Sequence, residues 1–402
     1  MIDAVRLSFE VKNFIKANER ADISSLLLKH KSIDGVPVSA IVDQIVGRRK
    51  AKVKLPEYFV NEDILYPPAI NLEQTSSGRT ARFKANLLSS NLPPANHTRD
   101  TLVDLTGGFG IDTLAFSKLF NRVIHVEPDE KLQRLAQYNH ALLEASNVIY
   151  VNQTAEEYIK TMDSASAVFI DPSRRSGTRK VYSFHDCQPD ITELQDDILR
   201  RTGMLMIKAS PMLDIQLALG ELRHTKEVCV LAVDNEVREL LFIIERGFKG
   251  EARILTENDA DDSRSSFGFF LSEEQKAVPT FSNVMEYIYE PNAALLKAGA
   301  FKLLSHRYTV SKLHINSHLY TAGRLDEDFP GRIFRVVSTL KADSRKAADF
   351  FPEGKANIIT RNYPSSPDAL KKKLKLSDGG DRYLLAYTSL KGPELVAAER
   401  LK

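Results

Sequence analysis

Residues 103–112 read V-D-L-T-G-G-F-G-I-D, a glycine-rich turn between an apolar run and a helical pattern. A strand before the glycines and a helix after them distinguish a nucleotide-binding turn from a chance match. Gly108 and Gly110 let the backbone approach a ligand closely, where a Cβ atom would clash. The stretch therefore predicts an α/β fold with a nucleoside ligand at the end of its first strand.

Around this turn, short apolar strands alternate with amphipathic helices, which indicates a doubly wound parallel sheet. The strands are predicted at residues 102–105, 122–126, 148–151, 167–170, 204–208, 228–233 and 240–245. The six residues between the last two strands are too few for a crossover helix, so these strands should form an antiparallel hairpin. Five parallel strands closed by a hairpin is the layout of class I (Rossmann-like) methyltransferases and differs from that of a six-stranded dehydrogenase.

The chain divides into four predicted parts. A helical region covers residues 1–95 and ends near Pro93 and Pro94, since proline blocks helix continuation. The α/β domain follows at 96–274, and two α+β modules cover 275–330 and 331–402. In the modules we predict helices at 292–305, 344–351 and 370–374, and strands at 312–320, 333–340, 357–360 and 383–388.

The composition is that of a globular protein, with 43% hydrophobic and 27% charged residues. No run approaches the roughly 18 apolar residues that span a bilayer, and charges interrupt the first apolar segment, so no membrane association and a cytoplasmic location are expected. The only cysteines, Cys187 and Cys229, are too few for a disulfide framework or a CxxC metal site. His125 and the other histidines lack metal-ligand spacing, so no metal is expected.

Several residues at strand ends are predicted to bind a cofactor. Asp104 can pair with the cationic amino group of S-adenosylmethionine, and Glu127, 23 positions later, can accept hydrogen bonds from a ribose. Gln153 and Thr154 end the third strand, where they can meet an adenine edge or cap the next helix. The turn supplies the remaining predicted contacts, which are Thr106, Gly107, Gly108, Phe109 and Gly110. Thr106 stands where the commonest pattern has its first glycine.

The fourth strand is followed by D-P-S-R-R at residues 171–175, the predicted catalytic loop. Asp171 can accept a proton or hydrogen bond from an acceptor atom, and Pro172 and Ser173 complete the loop. Arg174 and Arg175 can hold a phosphate. Lys208 ends the fifth strand at the same edge of the sheet and is a further candidate for substrate binding. The alternative is structural, with Asp171 capping a helix and the arginines in solvent.

With these motifs in place, the sequence resembles a bacterial family of class I methyltransferases that carry a ferredoxin-like module and a C-terminal THUMP-like domain. The resemblance includes E-Q-T-S-S at 73–77, T-A-R at 80–82, Y-E-P-N at 289–292, R-N-Y-P at 361–364 and G-G-D at 379–381, besides the two motifs above. It assigns the ferredoxin-like module to 275–330 and the THUMP-like domain to 331–402, and it implies S-adenosylmethionine as cofactor.

Because THUMP domains bind structured RNA, the resemblance also implies tRNA or rRNA as the substrate, with a base nitrogen as the acceptor. Basic residues at 48–54 and the C-terminal modules would then hold the RNA backbone. Methylation of uridine carbon is disfavoured, because the fifth-strand end K-A-S-P at 208–211 lacks the cysteine nucleophile that this chemistry needs. A protein or small-molecule methyltransferase and a non-catalytic RNA-binding factor are the alternatives.

Overall fold

The computed structural model describes residues 7–93, 100–174, 183–260, 263–341 and 343–402, apart from the side chains of Arg174, Ser263 and Lys346. It contains two compact units. The first comprises Met1–Thr225 with Phe242–Lys249, and the second comprises Lys226–Leu241 with Gly250–Lys402. No described helix combines the length and the apolar character required to cross a lipid bilayer.

The first unit begins with the predicted helical region. Its elements are α1 (Phe9–Ala17), α2 (Ile23–Lys29), β1 (Ser32–Ile33), β2 (Val36–Pro37), α3 (Val38–Lys54), α4 (Pro56–Val60), α5 (Ala69–Gln74) and α6 (Gly78–Asn91). The β1–β2 hairpin was not predicted, and it turns through Asp34 and Gly35 at positive φ. Helices α5 and α6 are separate, because the Ser77 side chain accepts the Thr80 N–H at 3.1 Å and starts α6 as its N-cap.

Buried polar contacts hold the helical region together and attach it to the rest of the first unit. Asn139 accepts the Leu65 N–H at 3.0 Å and donates to the Leu65 carbonyl at 2.8 Å. Gln44 makes the same pair of contacts with the backbone of Tyr66. Gly47 provides the space for Tyr66, because a Cβ at this glycine would lie 2.3 Å from that of Tyr66. The helical region therefore shares a packed interior with the α/β part.

The α/β part of the first unit contains the predicted parallel strands and crossover helices, and also two short strands, a 3₁₀ turn and a last helix that were not predicted. They are β3 (Thr101–Asp104), α7 (Ile111–Ser117), β4 (Arg122–Val126), α8 (Glu130–Leu142), β5 (Val148–Val151), α9 (Ala155–Thr161), β6 (Ala167–Ile170), β7 (Ser173–Arg174), a 3₁₀ turn (Phe184–Asp186), β8 (Cys187–Gln188), α10 (Ile191–Arg201), β9 (Met204–Ala209) and α11 (Ile215–Glu221).

The strand order β9-β6-β3-β4-β5 is that of a doubly wound sheet, with every one of these pairs parallel. All residues of β3 and β6 are buried, as expected for central strands covered by helices on both faces. The order reverses at β3, because the chain runs outward first through β4 and β5 and then through β6 and β9. Ligands of such sheets bind at this switch point, beside the carboxyl ends of the strands.

A hairpin follows, formed by β10 (Thr225–Val233) and β11 (Glu236–Glu245). Its turn is Asp234-Asn235, both at positive φ, the conformation of a two-residue type I′ turn. The connection predicted at residues 234–239 thus consists of residues 234–235 alone, because β11 begins earlier than predicted, at Glu236. The last residues of β11 belong to the first unit and its first residues to the second.

The second unit continues with two strands that were not predicted, followed by the C-terminal α+β part. Its elements are β12 (Arg253–Ala260), β13 (Ser263–Phe270), α12 (Leu271–Lys276), β14 (Tyr287–Pro291), α13 (Ala293–Ala298), α14 (Leu303–Arg307), β15 (Ser311–Lys312), β16 (Tyr320–Ala322), β17 (Gly331–Leu340), α15 (Ser344–Phe350), β18 (Asn357–Arg361), α16 (Pro367–Leu374), β19 (Arg382–Ser389) and β20 (Gly392–Arg400). Strand β12 pairs in parallel with β10 and antiparallel with β13.

The C-terminal strands form one seven-stranded sheet in the order β15-β16-β14-β17-β20-β19-β18. The predicted helix at 292–305 is two helices, because Gly299 at φ 79° ends α13. The predicted strand at 312–320 is wrong: the segment contains the end of β15 and the start of β16, with a loop between them.

Candidate functional site

The glycine-rich turn connects the end of β3 to the start of α7. Gly108 and Gly110 have positive φ, 54° and 85°, which glycine adopts without the strain that a side chain would cause. The Gly107 N–H donates to the Val126 carbonyl at 2.9 Å, and the Gly110 N–H donates to Gly107. The turn is therefore fixed against the end of β4 and passes directly into the helix.

Two buried histidines lie directly beneath the turn. A Cβ at Gly107 would lie 2.2 Å from the His125 ring, and one at Gly110 would lie 2.6 Å from the His140 ring. His140 Nε2 is 2.9 Å from the Gly110 carbonyl oxygen and Nδ1 is 2.8 Å from the Tyr150 hydroxyl. A Cβ at Gly108 would meet little, with the Thr106 carbonyl oxygen nearest at 3.9 Å. The backbone is thus close-packed below and open at Gly108.

Asp104 lies under the turn and is only 1% exposed. Its carboxylate accepts the Thr106 N–H at 3.2 Å and the Thr113 hydroxyl at 2.6 Å. Thr113 Oγ1 is in turn 2.9 Å from His125 Nδ1. Burial raises the pKa of Asp104 to about 7, although the Thr113 hydrogen bond opposes the shift. Burial and the neighbouring His140 lower the pKa of His125 to about 3.

Glu127 follows β4 and is partly exposed beside the turn. One carboxylate oxygen accepts the Gly108 N–H at 2.9 Å and the other accepts the Asp129 N–H at 2.9 Å. Burial raises the pKa of Glu127, while these two hydrogen bonds oppose the shift. Each carboxylate oxygen can accept more than one hydrogen bond, so the side chain is oriented by the turn and could still meet a ribose.

The two residues predicted to meet adenine differ in their surroundings. Thr154 is the N-cap of α9: its hydroxyl accepts the Glu157 N–H at 3.2 Å, and Glu157 accepts the Thr154 N–H at 3.0 Å. Gln153 is exposed at the end of β5. Asn152 donates to the Glu127 carbonyl at 2.9 Å, which holds this strand end beside the end of β4.

The predicted catalytic loop meets the turn through Thr106. The Asp171 N–H donates to the Thr106 hydroxyl at 2.7 Å. Lys208 Nζ lies 2.5 Å from Asp171 Oδ2, and the Lys208 side chain is only 12% exposed against 31% for Asp171. Burial raises the pKa of Asp171, and the Lys208 ammonium opposes that shift. The structure thus brings together Thr106, Asp171 and Lys208, three residues that the sequence predicts to be functional. They lie at the ends of the neighbouring strands β3, β6 and β9.

The other residues of the loop are described only in part. Pro172 is partly exposed, and the exposed Ser173 donates to the Gln188 carbonyl at 3.3 Å. Ser173 and Arg174 form β7, which pairs with β8. The Arg174 side chain and all of Arg175 lie outside the described residues, so their contact with phosphate stays a prediction. Phe109, predicted to contact the cofactor, is buried with its ring 5.5 Å from that of Tyr58.

One cluster beside the turn was missed from the sequence. Lys84 on α6 is fully buried, donates to Ser76 Oγ at 2.7 Å and lies 3.0 Å from Asp112 Oδ1. Ser76 donates to Asp112 Oδ2 at 2.7 Å. Ser76 stands in the E-Q-T-S-S segment and Asp112 ends the glycine-rich stretch, but no local pattern indicates that a lysine so far upstream reaches the α7 N-terminus.

The first basic run, at residues 48–54, makes mostly internal contacts. Arg48 is buried and pairs with Glu19 at 2.9 Å, and Lys50 pairs with Glu73 at 2.5 Å. Lys54 donates to the Glu73 carbonyl at 3.0 Å. Arg48, Lys50 and Lys54 thus have partners within the helical region, while Lys52 is exposed, and contact of this run with RNA stays a prediction. Among the described residues, no group of three or more His, Cys, Asp or Glu side chains could hold a metal ion.

Comparison with known proteins finds family models that match the C-terminal parts and relatives that are similar over most of the chain. A ferredoxin-like family model matches residues 287–330, and a THUMP domain-like model matches 331–400. The crystal structure of a candidate methyltransferase from Porphyromonas gingivalis W83 is similar over 98% of both chains, with a TM-score of 0.83 and 28% identity. A Mycobacterium tuberculosis protein named an uncharacterized S-adenosylmethionine-dependent methyltransferase is 24% identical over 346 residues, which is 84% of this chain and 88% of that protein.

The chain is a class I, S-adenosylmethionine-dependent methyltransferase. A weaker similarity links the methyltransferase to a tRNA/tmRNA (uracil-C(5))-methyltransferase of Shewanella frigidimarina, 28% identical over 153 residues. That match covers 32% of this chain and 41% of the Shewanella protein.

The observed site is compatible with the methyltransferase cofactor. The space above Gly108 is open, since a Cβ there would meet nothing closer than 3.9 Å, and Glu127 and Asp171 are partly exposed on either side of the turn. When bound, S-adenosylmethionine supplies a methyl group on a cationic, electrophilic sulfur. The carboxylates around the turn complement that charge, and the close-packed histidines hold the turn rigid.

Proposed function

We propose that this methyltransferase methylates a base nitrogen of tRNA or rRNA, with Asp171 as the residue that meets the acceptor. The observation that carries the proposal is the contact of Asp171 with Thr106 of the cofactor turn and with Lys208, in a chain with a C-terminal THUMP-like match. Known THUMP domains bind structured RNA, so the match favours an RNA substrate by analogy.

We assign cofactor contacts to the turn residues Thr106–Gly110, with Glu127 on the ribose and Gln153 at the adenine. Asp104 would hold the turn in place from beneath, since both of its oxygens already accept hydrogen bonds there. Thr154 has a capping role, so Gln153 is the stronger candidate of that pair.

The chemistry follows from the position of Asp171. The acceptor base must leave its stack to reach this strand end. As the bond from its nitrogen to the methyl carbon forms and the carbon–sulfur bond breaks, the acceptor N–H can donate to the Asp171 carboxylate and lose its proton there or to water. Lys208 holds that carboxylate in place. Arg174 and Arg175 are proposed to bind the phosphate beside the flipped nucleotide.

The charge distribution supports RNA as partner. Residues 331–402 contain 15 Lys and Arg against 8 Asp and Glu, whereas the whole chain has a net charge of only +2. Such a basic segment attracts a phosphate backbone without reading its sequence. Methylation of uridine carbon remains disfavoured, because the K-A-S-P segment at 208–211 has no cysteine and both cysteines of the chain are buried.

The proposal is tested by mass spectrometry of nucleosides from tRNA and rRNA of cells with and without the protein. One methylated base should disappear from one RNA class in cells that lack it. Unchanged nucleosides, together with a labelled methyl group on protein or on a small molecule, would contradict the RNA assignment. Absence of S-adenosylmethionine binding in calorimetry would instead indicate a non-catalytic factor.

The role of Asp171 gives the first variant prediction. Asp171→Ala should lower the kcat of methyl transfer to the identified RNA by a factor of about a hundred or more, because the acceptor loses its hydrogen-bond partner. Cofactor binding, measured by calorimetry, should survive, since the turn contacts remain. The exposed Asp163→Asn is the matched control and should retain full activity. Normal turnover of Asp171→Ala would refute the catalytic assignment.

A further inference from the structure

A buried carboxylate in the second unit is paired with two arginines. The Glu290 side chain on β14 is 2% exposed, and Arg332, its neighbour across the strands on β17, donates to it through Nε at 2.6 Å. A guanidinium nitrogen of Arg361, the last residue of β18, lies 2.5 Å from its other oxygen. One arginine is enough to neutralise a carboxylate, so these three groups carry one positive charge in excess. The Arg332 and Arg361 side chains are 29% and 37% exposed, so the excess charge lies at the surface.

Both arginines retain N–H donors beyond these contacts. A guanidinium has five N–H groups in one plane. Arg332 donates to Glu290 through Nε and one terminal nitrogen. Arg361 uses one terminal nitrogen on Glu290 and the other on the Thr360 carbonyl at 3.0 Å. Each guanidinium can therefore donate further hydrogen bonds, and its plane matches two oxygens of a phosphate.

The residue after Arg361 adds a neutral donor. Asn362 is exposed at φ 49°, a left-handed conformation that asparagine adopts more readily than most residues. The Thr388 hydroxyl donates to the Asn362 carbonyl, and Asn362 Nδ2 lies 3.4 Å from His314 Nδ1. These contacts fix the position of the amide next to Arg361.

His314 contributes another N–H group. Its Nδ1 accepts the Asn316 N–H at 3.1 Å. Because Nδ1 is an acceptor, the neutral ring carries its proton on Nε2, which is then a donor. The surrounding loop is anchored by Leu313 and Leu319, both buried. The half-buried His314 ring is therefore held in place with a donor available.

We propose that Arg332, Arg361, Asn362 and His314 form a phosphate-binding site, the donor cluster, which holds the backbone of the RNA substrate. An excess cation with planar and neutral N–H donors is the chemistry that recognises phosphate oxygens. The choice of RNA rests on the proposed function, since the same groups would also hold a free phosphate. His314 lies in the ferredoxin-like match and the other three lie in the THUMP-like match, so neither segment alone contains the site.

Fluorescence titration of a labelled tRNA mixture at several salt concentrations tests the site. Arg361→Gln should weaken binding roughly tenfold and reduce the slope of the logarithm of the binding constant against that of salt concentration by about one, because one phosphate contact is lost. Asn362→Gly keeps the left-handed backbone and removes a neutral donor, so binding should weaken about threefold with an unchanged slope. Arg335→Gln is the matched control and should bind like wild type. Arg335 pairs with Glu399 and lies three positions after Arg332, on the opposite face of β17.

A purely structural role of the ion pairs gives a different result. Arg361→Gln would then lower the free energy of unfolding but bind tRNA with the wild-type affinity and slope, which would overturn the proposal. If Arg361→Gln fails to fold by circular dichroism, Asn362→Gly and His314→Gln decide. Wild-type affinity for tRNA in both of these variants would then overturn the proposal.

Calorimetry with inorganic phosphate separates the two sources of the anion. Weaker phosphate binding by Arg361→Gln, together with unchanged tRNA binding, would assign the site to a free anion and overturn the RNA assignment. A failure of the proposed methylation is distinguishable from a failure of the site. Binding of tRNA that depends on Arg361, in a protein that modifies no nucleoside, would support the site and contradict the methylation alone.

Discussion

Thr106 shows how one residue connects two parts of the site. It stands where the commonest glycine motif has its first glycine, and from the sequence this substitution only weakens the match. In the structure its hydroxyl accepts the Asp171 N–H at 2.7 Å, while its own N–H donates to Asp104. A glycine could make only the second of these contacts. The departure from the motif therefore joins the cofactor turn to the predicted catalytic loop.

The shifted pKa values of Asp104 and His125 predict that the stability of the cofactor-free protein depends on pH. The pKa of Asp104 is about 7 in the fold, against an ordinary value of 3.8. Its contribution to the free energy of unfolding is therefore fully present below pH 3.8 and is lost as the pH rises towards 7. The pKa of His125 is about 3 against 6.5, so its contribution is present above pH 6.5 and lost as pH falls. The two effects oppose each other between these limits.

Asp104→Asn removes the first effect and leaves the second. The free energy of unfolding of this variant minus that of wild type should therefore increase as the pH rises from 4 to 7, by at most about 1.4 kcal/mol per pH unit. Urea unfolding at several pH values measures it, with Asp163→Asn, an exposed aspartate, as the control. Parallel curves for Asp104→Asn and wild type would show that Asp104 is ionised in the fold throughout this range.

At the scale of elements, the glycine turn depends on the two histidines beneath it. Gly107→Ala would place a methyl group 2.2 Å from the His125 ring, so the turn or the ring must move. We expect a loss of about 1–3 kcal/mol in the free energy of unfolding and weaker cofactor binding. Gly203→Ala is the matched control, since nothing lies within 4 Å of its Cβ position. Equal stability of the two variants in denaturant titrations would contradict this account.

Helix α16 carries the second basic run, with Leu370 and Leu374 buried against the core and Lys372 and Lys373 exposed. Substitution of Lys372 and Lys373 by Glu should weaken RNA binding. It should also reduce the slope of the logarithm of the binding constant against the logarithm of salt concentration, by the equivalent of about two phosphate contacts. Fluorescence titration of the identified RNA at several salt concentrations measures this.

The same reversal at Lys29 and Lys31, exposed residues of the helical region, is the control. A similar loss in both double variants would indicate a general charge effect and no local contact by α16.

The elements also show what the sequence could predict. Strands β4, β5 and β6 begin and end at the predicted residues, because each is a short, mostly apolar segment between polar or turn-forming residues. The segment at 312–320 was wrong because its apolar residues pack from a loop, with Leu313 and Leu319 both buried. The Lys84 cluster could not be predicted, because its partners meet only through the packing of α6 against α7.

At the scale of the whole molecule, the ferredoxin-like and THUMP-like matches meet between residues 330 and 331, yet one sheet contains both. Strand β14 from the first match pairs with β17 from the second. Glu290 of the Y-E-P-N motif is buried, and its carboxylate accepts Arg332 Nε at 2.6 Å and lies 2.5 Å from a guanidinium nitrogen of Arg361 in the R-N-Y-P motif. The two motifs quoted from the sequence are therefore partners in space.

This pairing limits how the chain can be inherited or rearranged. A recombination breakpoint between residues 330 and 331 would leave β14 as an open edge strand, prone to pair with other chains. It would also leave Glu290 without both of its arginines, and loss of a partner from a buried ion pair typically costs about 3–5 kcal/mol. The two C-terminal segments should therefore pass between genes only as a single cassette.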